Sequence, residues 1–143
     1  MRAVSLAGLL LMVAGIAGLF YAHALFSPAP LAVAAQVAAV ALMVWARITF
    51  GRRSFHAAAD PTSGGLVTTG PYRFIRHPIY TAACLFCWAG ALAQPSLKSV
   101  ACAVLVVIGA LLRMRSEEHL VVQRYPEYRD YAQRTRRMVP YIF

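Results

Sequence analysis

Two short stretches of this 143-residue sequence hold nearly all the residue types that could do chemistry. The first, Gly70-Pro71-Tyr72-Arg73-Phe74-Ile75-Arg76-His77-Pro78-Ile79-Tyr80, ends where a long apolar run begins. Pro78 suits the first turn of a helix, where a missing N–H costs nothing. The free amides of that turn, beside Arg73 and Arg76, would make a receptor for a carboxylate or phosphate. The alternative is a basic anchor at a helix end, which composition alone favours. The second stretch, Arg113-Met114-Arg115-Ser116-Glu117-Glu118-His119, leaves another apolar run. Glu117 lies four residues after Arg113 and Glu118 three after Arg115, a spacing that also produces ordinary helix-surface ion pairs. Yet the chain has only five acidic residues, and two stand side by side here. A carboxylate at this place could hold the ammonium group or ribose hydroxyls of a cofactor whose own carboxylate the arginines bind.

The remaining reactive side chains offer less. His77 reads equally as a bridge to a cofactor group and as a backbone cap of the following helix, with proton transfer a further role. His119 reads as interfacial surface, and His23 and His56 have no partner signal, so no metal is expected without a clustered ligand set. Cys84 and Cys87 have CxxC spacing, but they sit with Cys102 in apolar stretches, whereas redox or zinc chemistry needs a polar, accessible setting. They read as helix packing. Trp45 and Trp88 read as bundle or aromatic-belt residues rather than a platform for adenine.

The elements that would position these groups follow from composition. Of the chain, 60% is apolar and 13% charged, well below the roughly 25% charged share of soluble domains. A water-soluble fold is therefore not expected. No charged residue occurs between Arg2 and Arg47, or between Arg76 and Lys98. The expectation is an all-α integral membrane protein, a single domain over 1–143, with four spans at about 4–25, 31–50, 78–94 and 97–114. Ser27-Pro28-Ala29-Pro30 and Gln94-Pro95-Ser96 break the runs, giving two helical hairpins. Arg2, the apolar run and Ala22-His23-Ala24 imitate a cleavable signal peptide, but the run is longer than a usual signal core and reads as a retained first span.

Every arginine lies at the N-terminus, between 47 and 76, or from Arg113 onward, while the hairpin tips carry only Lys98. The positive-inside rule then puts both termini, the 51–77 connection and the active site on the cytoplasmic side of the inner membrane. In the connection, Asp60-Pro61, Gly64-Gly65 and Gly70-Pro71 are turn chemistry. Gly8, Gly15 and Gly18 would let helices approach closely. The 115–143 segment, with Tyr125, Tyr128 and Tyr131 spaced among arginines, is expected to form a helix lying at the interface. The net charge of +9, placed beside apolar runs, points to membrane lipids and an anionic ligand rather than to nucleic acid. The oligomeric state is not legible.

Tyr72, Arg76-His77-Pro78, Tyr80, Arg113, Glu117-Glu118, Leu120, Tyr125, Tyr128, Tyr131, Arg137 and Pro140 together resemble the isoprenylcysteine carboxyl methyltransferase family. The similarity covers about the C-terminal half and extends more loosely to phospholipid N-methyltransferases. Thr81 and Pro126 depart from the pattern, standing where a small residue and a glycine are usual. The resemblance implies S-adenosylmethionine as methyl donor and a pocket built by the RHPxY segment, the paired glutamates and the C-terminal segment. Tyr72, Arg76, His77, Pro78, Tyr80 and Glu118 are then assigned to the cofactor. Arg113, Glu117 and Arg137 are assigned to the reacting end of a lipophilic acceptor, by preference the carboxylate of a prenylcysteine-like or isoprenoid substrate. The alternatives are a phospholipid, small-amine or thiol methyltransferase, then an NADPH-dependent membrane reductase, then a non-enzymatic membrane protein or transporter. The last would need polar residues inside the spans, where Gln36 is the main exception to a run of apolar ones.

Overall fold

The computed structural model describes residues 1–51 and 65–143. His56, the Asp60-Pro61 turn and Gly64 lie outside the described residues. Those described form an all-α protein of five helices: α1 Arg2–Tyr21, α2 Pro30–Phe50, α3 Pro78–Ala93, α4 Leu97–Arg124 and α5 Tyr128–Arg134. A 3-10 turn covers Gly70–Arg73. Among the described residues no strand forms, and the one isolated bridge pairs Ile75 with Arg136 in parallel.

Helix boundaries follow local chemistry. α1 ends at Tyr21, and His23 turns the chain at φ 53°. The Ser27 hydroxyl accepts the Ala29 amide at 3.2 Å, and Pro30 opens α2. At α4 the Ser96 hydroxyl accepts the Ser99 amide at 3.0 Å while the Ser99 hydroxyl accepts the Ser96 amide at 2.9 Å. This reciprocal cap satisfies two helix-end donors. α1, α2 and α4 are long and apolar enough to cross a membrane. α3 has 16 residues, about 24 Å at 1.5 Å per residue, short of the roughly 30 Å hydrocarbon core. α4 has 28 residues, about 42 Å, so about eight of its residues stand beyond the core. The chain is an integral membrane protein.

Of the two expected hairpins, α3 and α4 pack together, whereas α1 and α2 do not. α1 lies along α4 and α2 along α3, with α3 against α4, while α1 and α2 share no packed face. The reason is the distribution of small residues. α1 buries the stripe Ser5, Gly8, Met12, Gly15 and Leu19, a spacing that keeps one helix face together. A Cβ on Gly8 would lie 2.7 Å from the Gly109 carbonyl, and one on Gly15 2.6 Å from the Cys102 carbonyl. Backbone meets backbone here, so glycine is required. The 22–29 connection crosses the end of α3, where Gln36 Nε2 donates to the Leu25 carbonyl at 2.7 Å and Gln94 Nε2 to that of Phe26 at 2.8 Å. The apparent polar exception inside a span thus satisfies a loop carbonyl. Cys84 and Cys87 are buried in the core as free thiols, matching the packing role expected of them.

One boundary and one side-chain orientation differ from expectation. α4 continues to Arg124, absorbing the first part of the segment expected to lie at the interface. Tyr128 is buried, and Tyr131 donates to the Tyr72 carbonyl at 2.6 Å. These tyrosines therefore turn inward against the Gly70–Arg73 turn, because a buried phenol needs an acceptor and the turn offers one.

Candidate functional site

The site forms where α3 begins and α4 leaves the apolar layer, closed by the segment after α5. Gly70, at φ +57°, starts the turn: a Cβ there would lie 3.0 Å from the Thr49 Cγ2 and 3.2 Å from the Trp45 Nε1. The chain then runs extended, and the Arg76 amide donates to the Arg136 carbonyl at 2.7 Å and the His77 amide to that of Arg137 at 2.9 Å. Thr81 Oγ1 lies 3.1 Å from the His77 carbonyl and 2.9 Å from that of Met138. These contacts fix residues 76–77 and 136–138 as one unit over the end of α4.

Glu118 is the hub. Its Oε1 accepts from Arg76 Nε at 3.0 Å and from His77 Nε2 at 3.1 Å, and its Oε2 accepts from Arg137 NH2 at 3.0 Å. An ionised carboxylate has no proton to give, so His77 Nε2 carries the hydrogen in this bond. Arg76 also donates through NH1 to the carbonyls of Ala132 at 2.9 Å and Thr135 at 2.5 Å. Burial alone would raise the Glu118 carboxyl. The hydrogen bonds from His77, Arg137 and Arg76 outweigh it and hold that group at about 2, below its ordinary 4.5. Burial pushes the Tyr131 phenol up to about 12, which keeps the proton on the phenol for its hydrogen bond to the Tyr72 carbonyl.

A second cluster sits one helical turn deeper. Arg113, 6% exposed, donates through Nε to the Tyr80 hydroxyl at 2.7 Å, through NH2 to Glu117 Oε1 at 3.3 Å and through NH1 to the Ser5 carbonyl at 3.4 Å. Tyr80 in turn donates to Glu117 Oε1. The i,i+4 ion pair between Arg113 and Glu117 exists, but the guanidinium is buried rather than on a solvated surface. His77 Nδ1 lies 3.8 Å from Glu117 Oε2 and links the two clusters.

Arg76, His77, Tyr80, Arg113, Glu117, Glu118 and Arg137 thus meet. Arg137 joins Glu118 rather than Glu117, because it follows the strand-like pairing over His77. Tyr72 and Pro78 are buried beside the cluster instead of lining it, and the Tyr72 ring packs against Phe50 at 5.4 Å. Arg73, which flanked the same turn in sequence, faces away from Glu118 (exposed) while Arg76 faces it. Three contributors were not assigned to the site from sequence: Ser5 through its carbonyl, Thr135 through its carbonyl, and Thr81 as the clamp on Met138. Only Thr81 left a signal, as a hydroxyl one helical turn after His77.

The donors and acceptors fit the amino-acid end of S-adenosylmethionine, since guanidinium groups can take a carboxylate and the paired glutamates an ammonium. Among the described residues no group of three or more His, Cys, Asp or Glu could hold a metal ion.

A nickel-cobalt-cadmium resistance protein, NccN, of Alcaligenes xylosoxydans xylosoxydans is 40% identical over 78 residues, 52% of this chain. The chain spans 36% of the length of that relative. No solved structure matches. The family model described as phospholipid methyltransferase matches residues 48–128, which run from the end of α2 through both glutamates. That match covers more than half of the chain and contains the RHPxY turn and the Glu117-Glu118 pair around which the site is built, so the chain belongs to the phospholipid methyltransferase family.

Proposed function

We propose that this protein methylates a lipophilic carboxylate, of the prenylcysteine or isoprenoid kind, at the cytoplasmic face of the inner membrane. The observation that carries this reading is Arg113: a buried guanidinium at the end of the apolar part of α4, held by Tyr80 and Glu117. A permanently charged planar fork at that depth suits a carboxylate at the end of an apolar chain.

When bound, S-adenosylmethionine supplies an electrophilic methyl on a sulfonium sulfur. Arg76, Arg137 and His77 would take the donor's carboxylate and Glu118 its ammonium, with Tyr80 at the wall and the buried Tyr72 and Pro78 packed behind it. Glu118 is already neutralised by three partners, so a zwitterion can exchange with them without leaving a buried charge unpaired. Arg113 would orient the acceptor carboxylate, which is ionised at neutral pH and needs no base. Excluding water strengthens each of these contacts, and much of the acceleration comes from positioning.

A second reading is methylation of an amine, favoured by Glu117, whose side chain is 26% exposed and faces Tyr80 and Arg113. That carboxylate could take the proton an amine must lose. Purified protein is incubated with methyl-labelled S-adenosylmethionine and either a prenylcysteine carboxylate or phosphatidylethanolamine, and the product is treated with alkali. A methyl ester releases labelled methanol, as we expect; label that stays non-volatile after alkali, on the amine of the phospholipid head group, overturns the carboxylate reading.

A further inference from the structure

A second basic feature lies on the far side of the Ile75–Arg136 bridge from Glu118. Over 135–137 the side chains alternate: Thr135 is buried, Arg136 exposed, and Arg137 turned back onto Glu118. Opposite them Phe74 faces out, Ile75 is buried and Arg76 reaches Glu118. The outward residues enclose a cavity of about 300 Å³ lined by Arg73, Phe74, Gln133, Arg134, Arg136 and Tyr141 among others, with no acidic side chain in the lining. The Arg73 guanidinium lies 5.7 Å from the centre of the Phe74 ring.

Three arginines converge here, and the groups that neutralise Arg76 and Arg137 are on the other face. Phe74 is 47% and Tyr141 89% exposed, and the cavity opens four residues before Pro78 starts an apolar helix. Exposed aromatics beside arginines at the foot of a membrane helix belong at head-group depth. A pocket of that charge and depth selects anionic lipid head groups, and its volume is at the small end of ligand sites, enough for a phosphodiester and its polar substituent but not for acyl chains.

We propose that this cavity is an accessory site for the phosphate of an anionic phospholipid, separate from the methyl-transfer site. The phosphate accepts hydrogen bonds from Arg73, Arg134 and Arg136, and Phe74 and Tyr141 enter the upper acyl region. Phosphatidylglycerol is the suitable probe, since it carries neither amine nor carboxylate and so is no acceptor under either reading of the enzyme.

The test uses the full chain in a non-ionic detergent, titrated with short-chain phosphatidylglycerol, short-chain phosphatidylcholine or inorganic phosphate, with binding read by calorimetry. Phosphatidylglycerol should bind at one saturable site, at least tenfold more tightly than phosphatidylcholine. Combined substitution Arg73→Gln, Arg134→Gln, Arg136→Gln should weaken it at least tenfold and leave S-adenosylhomocysteine binding unchanged. Should that variant misfold, Arg134→Gln alone, at the exposed end of α5, should still lower phosphatidylglycerol occupancy in native mass spectrometry. Equal binding of the two lipids, unaltered binding in the variants, or displacement of phosphatidylglycerol by inorganic phosphate at equal concentration would each overturn the proposal.

Discussion

Glu118→Gln separates the hub's charge from its shape. Glutamine keeps the size and one acceptor oxygen but cannot be ionised. Arg76 keeps its bonds to the Ala132 and Thr135 carbonyls, so the variant should still fold. The Glu118 carboxyl is held at about 2 against an ordinary 4.5 and is 14% exposed, which corresponds to roughly 3 kcal/mol of folding stability at neutral pH. A depressed carboxyl stabilises the fold above its unfolded value and loses that contribution as pH falls through its folded value. The advantage of wild type over variant should therefore hardly change from pH 7 to 5 and fall to about half by pH 3. In detergent, paired thermal unfolding should show a gap of roughly 6–12 °C at pH 7, narrowing below pH 4.5. Calorimetry at pH 7 should show S-adenosylhomocysteine bound about tenfold or more weakly, the loss of one charge-assisted contact. A stability gap independent of pH would refute the assignment of that energy to the Glu118 charge, and unchanged affinity would remove Glu118 from the cofactor site.

Arg113→Lys should keep S-adenosylhomocysteine binding but lose turnover about tenfold, roughly 1.4 kcal/mol, because one ammonium cannot replace donors to Tyr80, Glu117 and Ser5 together. Full activity in that variant would discard the carboxylate clamp. Gly8→Val should lower stability by about 1–3 kcal/mol and reduce turnover, since the new side chain would strike the Gly109 carbonyl and the Arg113 Cγ; an unchanged melting temperature would contradict the close α1 to α4 contact. Single cysteines at 133 and 96 should label from opposite sides of the membrane, 133 from the cytoplasm; labelling from one side would defeat the proposed topology.

Much of this fold was legible because it rests on composition. Long uncharged runs demand helices in a membrane, and the prolines at 28, 30 and 95 mark their ends. The Arg76-His77 and Glu117-Glu118 clusters were legible because charged groups are rare in this chain and stand beside apolar runs. What could not be read was which helix lies against which. Local punctuation predicts that neighbours in sequence pair, whereas Gly8 and Gly15 select the backbone at Gly109 and Cys102, a long-range match that periodicity does not reveal. The same limit explains Tyr131, whose spacing suggested an interface and whose partner is a turn carbonyl 59 residues away. It also explains Arg137, whose partner was set by backbone pairing to His77.

The pairing of α1 with α4 bears on how the protein is made. Ser5 and Arg113 are 108 positions apart, so α1 leaves the ribosome long before the helix that covers its glycine stripe. During that interval its small-residue face is turned to lipid or to the insertion machinery, and closing so distant a contact is intrinsically slow. Chains interrupted before Gly109 therefore carry an unsealed first helix.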